Sequence, residues 1–383
     1  APAPRQDAMR AGGWMWAILI GLVLLLAAGA WFVWRAGDGG PPPEVFGRTT
    51  PPGATPMAVM GDSDSHSYQD GRAFPPGGPA RGGEFHARTF GWLETLARLR
   101  GSEVDPGPWL TWGSTGRISS VRRILGLPVG RVPAKEDYLY NFSYSGAACN
   151  DLTSGPFRQA PWLAALMDKE PERWRNGLVV IRMGLNDWQP MLALQAQDPS
   201  TPETDNTIAR CQSRIAEAIA LLRQHQPGLK FLVVGIGNEI DDPGQFENFL
   251  SAAETRNVRI ALDRFNGALR DLAERTPGTA FFDQDAWFLR LWGSRDPDGR
   301  PNSYKTVVVG GGFQVTNTLG DDPRNALLED HHAGVVWHAL WAQALVQRLR
   351  EAFGLQLTPI GDEELWRYLQ PLVAPGGVKV PGS

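Results

Sequence analysis

Gly61-Asp62-Ser63 follows directly on the apolar run Met57-Ala58-Val59-Met60. A serine at the carboxyl end of a buried strand stands where open α/β sheets place their chemistry. On its own the tripeptide also has the composition of an ordinary strand-ending turn. Three further blocks follow in order: Asn141 to Gly146 (NFSYSG), Gly184-Leu185-Asn186-Asp187, and Glu329-Asp330-His331-His332 ahead of the last long helical pattern. Serine, histidine and carboxylate are the parts of nucleophilic acyl transfer. That chemistry needs a nucleophile, a base to take its proton, a group that orients the base, and donors for the oxyanion.

These four blocks, in this order and on these elements, resemble the SGNH (GDSL) hydrolase family. The resemblance implies Ser63 as nucleophile and His332 as base, since His332 leads through Ala333-Gly334 into a helix as the family's last block does. The family's acid stands three residues before the histidine, which here is Glu329. Asp330 stands two before and is favoured on residue type, with Glu329 held open. The implied oxyanion hole is the Ser63 N–H, the Gly146 N–H and the Asn186 amide, with Asp62, Asn141, Gly184 and Asp187 shaping the loops around them. Asp64 occupies the position where the family carries leucine, which puts a carboxylate beside the nucleophile. The implied activity is hydrolysis of acyl esters through a Ser63 acyl-enzyme, with no cofactor and no metal required. The substrate stays open among glycan, lipid and small-molecule esters. An O-acetyltransferase of the same fold, acting on envelope polysaccharide, is the nearest alternative. A non-catalytic binding or structural subunit of a membrane complex, with membrane-protein partners, is the other.

Six histidines are present. His66 and His86 belong to a long loop after the serine, His225 reads as solvated surface at a helix end, and His331 and His338 fall out of the family's register. Asp62-x-Asp64-x-His66 faintly resembles a cation loop, but its spacing continues wrongly for an EF-hand and a turn is expected.

The elements that must hold these residues alternate between strand and helix patterns, as in a parallel sheet covered on both faces. Strands are expected at 57–60, 138–141, 178–181, 231–235 and 280–282. Ile208, Cys211, Ile215, Ile219 and Leu222 make one helical stripe, and Val258, Leu262, Phe265, Leu269 and Leu272 another. A last long helix is expected from near His332 to about Phe353, and a short one at 362–372. The expected fold is a three-layer α/β/α, flavodoxin-like domain over residues 55–355, with a tail at 356–383. Two long loops, 69–86 and 292–325, are rich in Gly and Pro, and the second holds a β-like piece at Thr306 to Val309.

The chain has 383 residues, 42% hydrophobic and 20% charged, which suits one large globular domain with appendages. A net charge of −4 and no Lys/Arg stripe speak against nucleic-acid binding. Fifteen tryptophans are expected mainly as core anchors rather than sugar platforms. Residues 14–34 form an uncharged apolar run with tryptophans near both ends, the length and flanks of a single membrane-spanning helix. A cleaved signal peptide is the rival, yet the run continues through Trp31-Phe32-Val33-Trp34, past the small residues at 27–30 where cleavage would fall. The reading is a cytoplasmic N-terminus at 1–13, a membrane anchor at 14–34, a Pro/Gly-rich tether at 35–54 and an extracytoplasmic catalytic domain. Cys149 and Cys211 are the only cysteines. A bridge and two free buried thiols both remain open, because two residues make no framework pattern.

Overall fold

The computed structural model describes residues 16–25, 27–29, 31, 39–48, 51, 53–127, 129–155, 157–293, 295, 296, 298, 300 and 305–375. It divides into two compact units, residues 1–41 with 112–134, and residues 42–111 with 135–383. The larger unit carries all four chemical blocks. Its frame is a five-stranded parallel sheet of β1 (Thr55–Gly61), β2 (Val104–Asp105), β3 (Leu178–Arg182), β4 (Lys230–Val234) and β5 (Thr279–Phe282). Spatial order is β2-β1-β3-β4-β5. That is the flavodoxin-like order, with its switch point between β1 and β3 at the edge where crevices form. The expected fold class is therefore realised.

The strands form because their residues are apolar on both faces, as a doubly covered parallel sheet requires. Met57, Val59, Leu178, Val180, Leu232 and Val234 face one core, which is closed by α1 (Trp92–Arg100) and α5 (Val335–Phe353). The opposite layer is α2 (Gln159–Met167), α3 (Pro202–His225) and α4 (Ala252–Arg275), with α2 against β1 and α4 against β4 and β5. Local signals set the helix starts. Thr201 accepts from the Thr204 N–H at 3.2 Å ahead of Pro202, and Ser251 accepts from the Ala253 N–H at 3.3 Å. Trp92 and Trp341 meet across the α1–α5 contact with ring centroids 4.9 Å apart. Both are fully buried, along with Trp174, Trp188 and Trp292, so the core-filling role expected of the tryptophans holds for these five.

Four expectations change. The strand expected at 138–141 lies earlier, at Lys135–Tyr138, outside the central sheet. Residues 140–144 instead run beside the carboxyl half of β1: the Val59 N–H donates to the Tyr140 carbonyl at 3.0 Å, and the Phe142 and Tyr144 N–H groups donate to Val59 and Gly61. The edge strand β2 was not foreseen, because two residues leave no periodic signal. The final helix begins at Val335 rather than His332, which leaves the histidine on the preceding loop. Helix α6 (Asp362–Val373) is no loose tail, since Leu365, Leu369, Leu372 and Val373 are buried in the same core as α5. The piece at Thr306–Val309 does form a strand, β6, in a small sheet with β7 (Phe313–Leu319) and β8 (Asn325–Leu327).

Of the expected membrane span, residues 14, 15, 26, 30 and 32–34 lie outside the described residues, as do the expected N-terminal segment 1–13 and parts of the tether. Among the described residues no helix is long and apolar enough to cross a membrane. Those described from Trp16 to Trp31 are helical, with the large apolar side chains exposed.

Cys149 and Cys211 form a disulfide, which joins the turn after the NFSYSG block to the middle of α3 across 62 residues. Cross-linking a loop of that length restricts the unfolded chain. Cys211→Ser is expected to lower unfolding stability by about 2–5 kcal/mol. Urea melts of the oxidised and variant proteins check this, and coincident midpoints would contradict it.

Candidate active site

Ser63 sits two residues beyond the end of β1, in a turn closed by the Ser65 and His66 N–H groups donating to the Asp62 carbonyl at 3.2 and 3.1 Å. The end of β1 is held from below by Gln159 of α2. Its side chain accepts from the Gly61 N–H and donates to the Gly61 carbonyl, both at 2.8 Å and both buried. Gly184 opens the third block at φ +132°, where a Cβ would stand 2.7 Å from the Phe265 ring, so a side chain there would displace α4.

Ser63, Gly146, Asn186, Asp330 and His332 all line one cavity of about 410 Å³ at the carboxyl ends of the strands. Neither the Ser63 N–H nor the Gly146 N–H donates to another group among the described residues. The Asn186 amide donates one hydrogen to the Ala147 carbonyl at 2.9 Å, which orients it and leaves the second hydrogen for the cavity. Three donors thus belong to residues that line the same cavity, and stabilising an oxyanion calls for such groups.

The His332 Nδ1 lies 3.1 Å from Asp330 Oδ1 and 3.0 Å from the Asp330 carbonyl, so Nε2 is the nitrogen left for proton transfer. Asp330 also accepts from the His332 backbone N–H at 3.2 Å and from the Arg81 N–H at 3.0 Å. Burial raises its pKa, but the hydrogen bond and charge of His332, together with the Arg81 guanidinium 3.7 Å away, outweigh that and hold it well below the usual carboxylate range. Glu329, by contrast, is exposed and absent from the cavity wall. The choice left open between the two carboxylates therefore falls to Asp330 on geometry.

His331 lines the same cavity and pairs with Asp242 at 3.0 Å, its side chain 52% exposed. Burial raises the Asp242 pKa, with His331 and the Gly244 N–H opposing, so this second pair has the less firmly ionised acid. His338 is fully buried outside the cavity. Its Nε2 lies 2.8 Å from the Tyr68 hydroxyl, which donates to the Ala333 carbonyl at 3.0 Å beside His332. A fully buried ring so placed supports the loop, which makes His338 more than the bystander its register implies.

The residues expected to shape the surrounding loops make the following contacts. Asn141 donates to the Ser65 carbonyl at 2.9 Å and to Asp137, tying the second block to the nucleophile turn. Asp187 accepts from the Cys149 N–H at 2.7 Å and pairs with Arg210, which anchors the third block to the disulfide turn. Asp62 accepts from the Asp64 N–H at 3.1 Å, and burial with the nearby Asp64 charge pushes its pKa up to about 7. The three side chains of the cation-like pattern go separate ways: Asp64 pairs with Arg182 at 3.0 Å and His66 with Asp70 at 2.8 Å.

Several site residues carried no spacing signal. Arg81, in the long Gly/Pro loop, is buried between Tyr68 and Phe74, with its guanidinium 4.7 and 4.4 Å from the two rings. It donates to Ser145 Oγ at 3.0 Å, so one cation contacts both the acid of the His332 pair and the residue before Gly146. His66 takes the other side of Ser145: its Nδ1 accepts from the Ser145 N–H at 3.3 Å, and its Nε2–H donates to Asp70. Burial pushes its pKa down to about 4, so the ring is neutral. Arg182 follows an apolar strand at its carboxyl end, and that position could have flagged it. The loop after β4 does the same with Asn238, Glu239, Asp241 and Asp242 on the cavity wall.

No family model and no curated protein matches the chain. Among solved structures it is similar to an acetylxylan esterase from Geobacillus stearothermophilus, at 15% identity over 80% of this chain and 97% of that one, with a TM-score of 0.38. It is similar also to a GDSL-like lipase from Parabacteroides merdae, at 14% identity over 80% and 99%, with a TM-score of 0.39. An extracellular lipase from Streptomyces rimosus matches at 16% identity over 65% and 86%, with a TM-score of 0.33. The fold assignment itself rests on the strand order of this chain.

Asp330→Asn is expected to lower turnover of an ester substrate by at least roughly 10-fold, because the amide cannot hold the histidine in its productive form. Glu329→Gln should leave it nearly unchanged. Steady-state kinetics on the two purified variants separates them, and a reversal would move the acid to Glu329.

Burial also pushes Glu239 up to about 8, with Asp64, Asp242 and Asp62 adding to the rise. Glu239 and Asp62 thus keep protons in the folded state that the unfolded chain releases near the ordinary carboxyl values of 4.5 and 3.8. Their contribution to stability is complete below those ordinary values and is lost as pH climbs through about 7 to 8. Thermal unfolding should therefore shift to lower temperature between the acid and alkaline sides of that window, and Glu239→Gln should flatten the shift. A wild-type curve without the shift would contradict this.

Proposed function

We propose that this chain is a membrane-anchored serine esterase that removes short acyl groups, acetyl among them, from oxygen. The observation that carries the reading is the shared cavity: Ser63, the His332–Asp330 pair and the donors at Ser63, Gly146 and Asn186 all line it. In the proposed reaction Ser63 Oγ attacks the ester carbonyl as His332 Nε2 takes its proton. The oxyanion is met by the three donors, and Asp330 stabilises the imidazolium that forms. Collapse breaks the bond to the alcohol, which leaves with the proton from His332. Water then attacks the Ser63 ester by the same route and releases the acid. A cavity of about 410 Å³ suits a small acyl group with part of its alcohol.

The apolar run at 14–34 supports the anchor, and the Cys149–Cys211 disulfide supports an oxidising, extracytoplasmic setting for the catalytic unit.

Ser63→Ala is expected to reduce hydrolysis of a short-chain aryl ester by at least roughly 10⁴-fold while leaving the circular dichroism spectrum intact. His332→Ala should cost nearly as much, and the double variant little more than either, since nucleophile and base act as one unit. Turnover that survives in a folded Ser63→Ala protein would end this mechanism.

A further inference from the structure

The helix Gly116–Ile124 is built inside out. Its buried side chains are Ser119 and Arg122, whereas Val121, Ile124 and, just beyond, Leu125 and Leu127 are exposed, Ile124 at 84%. With about 3.6 residues per turn, Val121, Ile124 and Leu125 share one stripe, and Ser119 with Arg122 lies on the opposite one. Arg117 and Arg123 are exposed as well, Arg117 one turn before Val121 on the stripe and Arg123 on the side of Ser119. A contiguous aliphatic stripe open to water on so short a helix marks a contact surface.

What covers the stripe follows from where the helix is tied down. Within the smaller unit the backbone at Gly39–Gly40 lies directly on Gly113–Ser114 and on Gly130. A Cβ at Gly39 would come 2.8 Å from the Gly113 carbonyl carbon, and one at Gly130 would strike the Gly39 carbonyl. Gly39 is five residues past Trp34, the end of the apolar run, and five residues of chain reach at most about 18 Å. Ser114, packed on Gly39, stands two residues before the helix. A helix so tethered stays close to the plane where residues 14–34 leave a bilayer.

We propose that the helix Gly116–Ile124, with Leu125 and Leu127, lies in the headgroup region of an anionic bilayer as a second membrane contact. Its aliphatic stripe enters the acyl boundary, and Arg117 and Arg123 meet lipid phosphates. This inference rests on the anchored reading above. Val121, Ile124 and Leu125 are exposed among the described residues, which leaves the stripe available for such a placement.

The test uses the full chain reconstituted into vesicles of phosphatidylethanolamine and phosphatidylglycerol. With the native cysteines closed as a disulfide, an environment-sensitive fluorophore is attached at Ile124→Cys, at Leu22→Cys in the apolar run, or at Glu172→Cys on the exposed surface of the catalytic unit. The inference expects blue-shifted emission at 124 and at 22 that nitroxide-labelled lipid quenches, and neither effect at 172. Reversing both Arg117 and Arg123 to Glu should reduce quenching at 124 and leave it intact at 22. Quenching at 22 without quenching at 124 would overturn this inference and leave the anchor standing. A blue shift at 124 that lipid nitroxide does not quench would assign the stripe to a protein partner and overturn the bilayer. Absence of quenching at 22 would remove the anchor, and this inference with it.

Discussion

The buried guanidinium of Arg182 is the constraint on which the cavity depends. Six carboxylates, those of Asp62, Asp64, Glu239, Asp241, Asp242 and Asp330, line one small space, and like charges so close destabilise one another. Arg182 answers from the end of β3: it pairs with Asp64 at 3.0 Å, donates to the Asp64 carbonyl at 2.7 Å and to Gln284 at 2.8 Å, and lies over the Trp337 and Trp341 rings. Its carboxylate partner is the residue directly after Ser63, so the charge beside that serine comes with its own counter-ion. Removing one member of such a pair typically costs about 3–5 kcal/mol, because the other is left charged and buried. Carboxylates without a close cation answer differently, by keeping their protons, as Glu239 and Asp62 do.

A second cation divides the labour. His332 and, after it, Arg81 hold Asp330 ionised while Arg182 serves Asp64, so the acid beside His332 stays anionic even though Glu239 and Asp62 keep their protons. The distinction matters chemically. A carboxylate that remains charged orients the imidazole and stabilises its protonated form, whereas a protonated acid would do neither. Through Ser145, Arg81 also reaches the residue before Gly146, and His66 braces the same serine from its other side. Asp330 and the residue before Gly146 are thus set by a shared group of buried side chains.

Ser145 and Gly146 owe their placement to a change of partner along β1. Edge strand β2 pairs only with Thr55 and Pro56, and from Val59 to Gly61 the segment 140–144 takes its place. That exchange delivers Ser145 and Gly146 beside the turn that carries Ser63. Gln159 and the disulfide at Cys149 secure the two sides of this arrangement.

Much of this was legible in the residues. Apolar runs at 57–60, 178–181, 231–235 and 280–282, and the stripes on α3 and α4, mark burial that local pattern alone dictates, so the sheet and its cover were readable. Ser63, Gly146, Asn186 and His332 were readable as candidates through the resemblance of the four blocks that carry them, Ser63 and Asn186 just beyond the carboxyl ends of two of those runs. The choice of Asp330 over Glu329, the roles of Arg81, Arg182 and His66, the acidic wall from the loop after β4 and the joining of Cys149 to Cys211 were decided only by the tertiary structure. Most depend on which groups meet across distances of tens to hundreds of residues, as Arg81 with Asp330 and Arg182 with Asp64 do, and on how far water is excluded where they meet. Neither quantity is local, so neither leaves a period or a spacing in the chain.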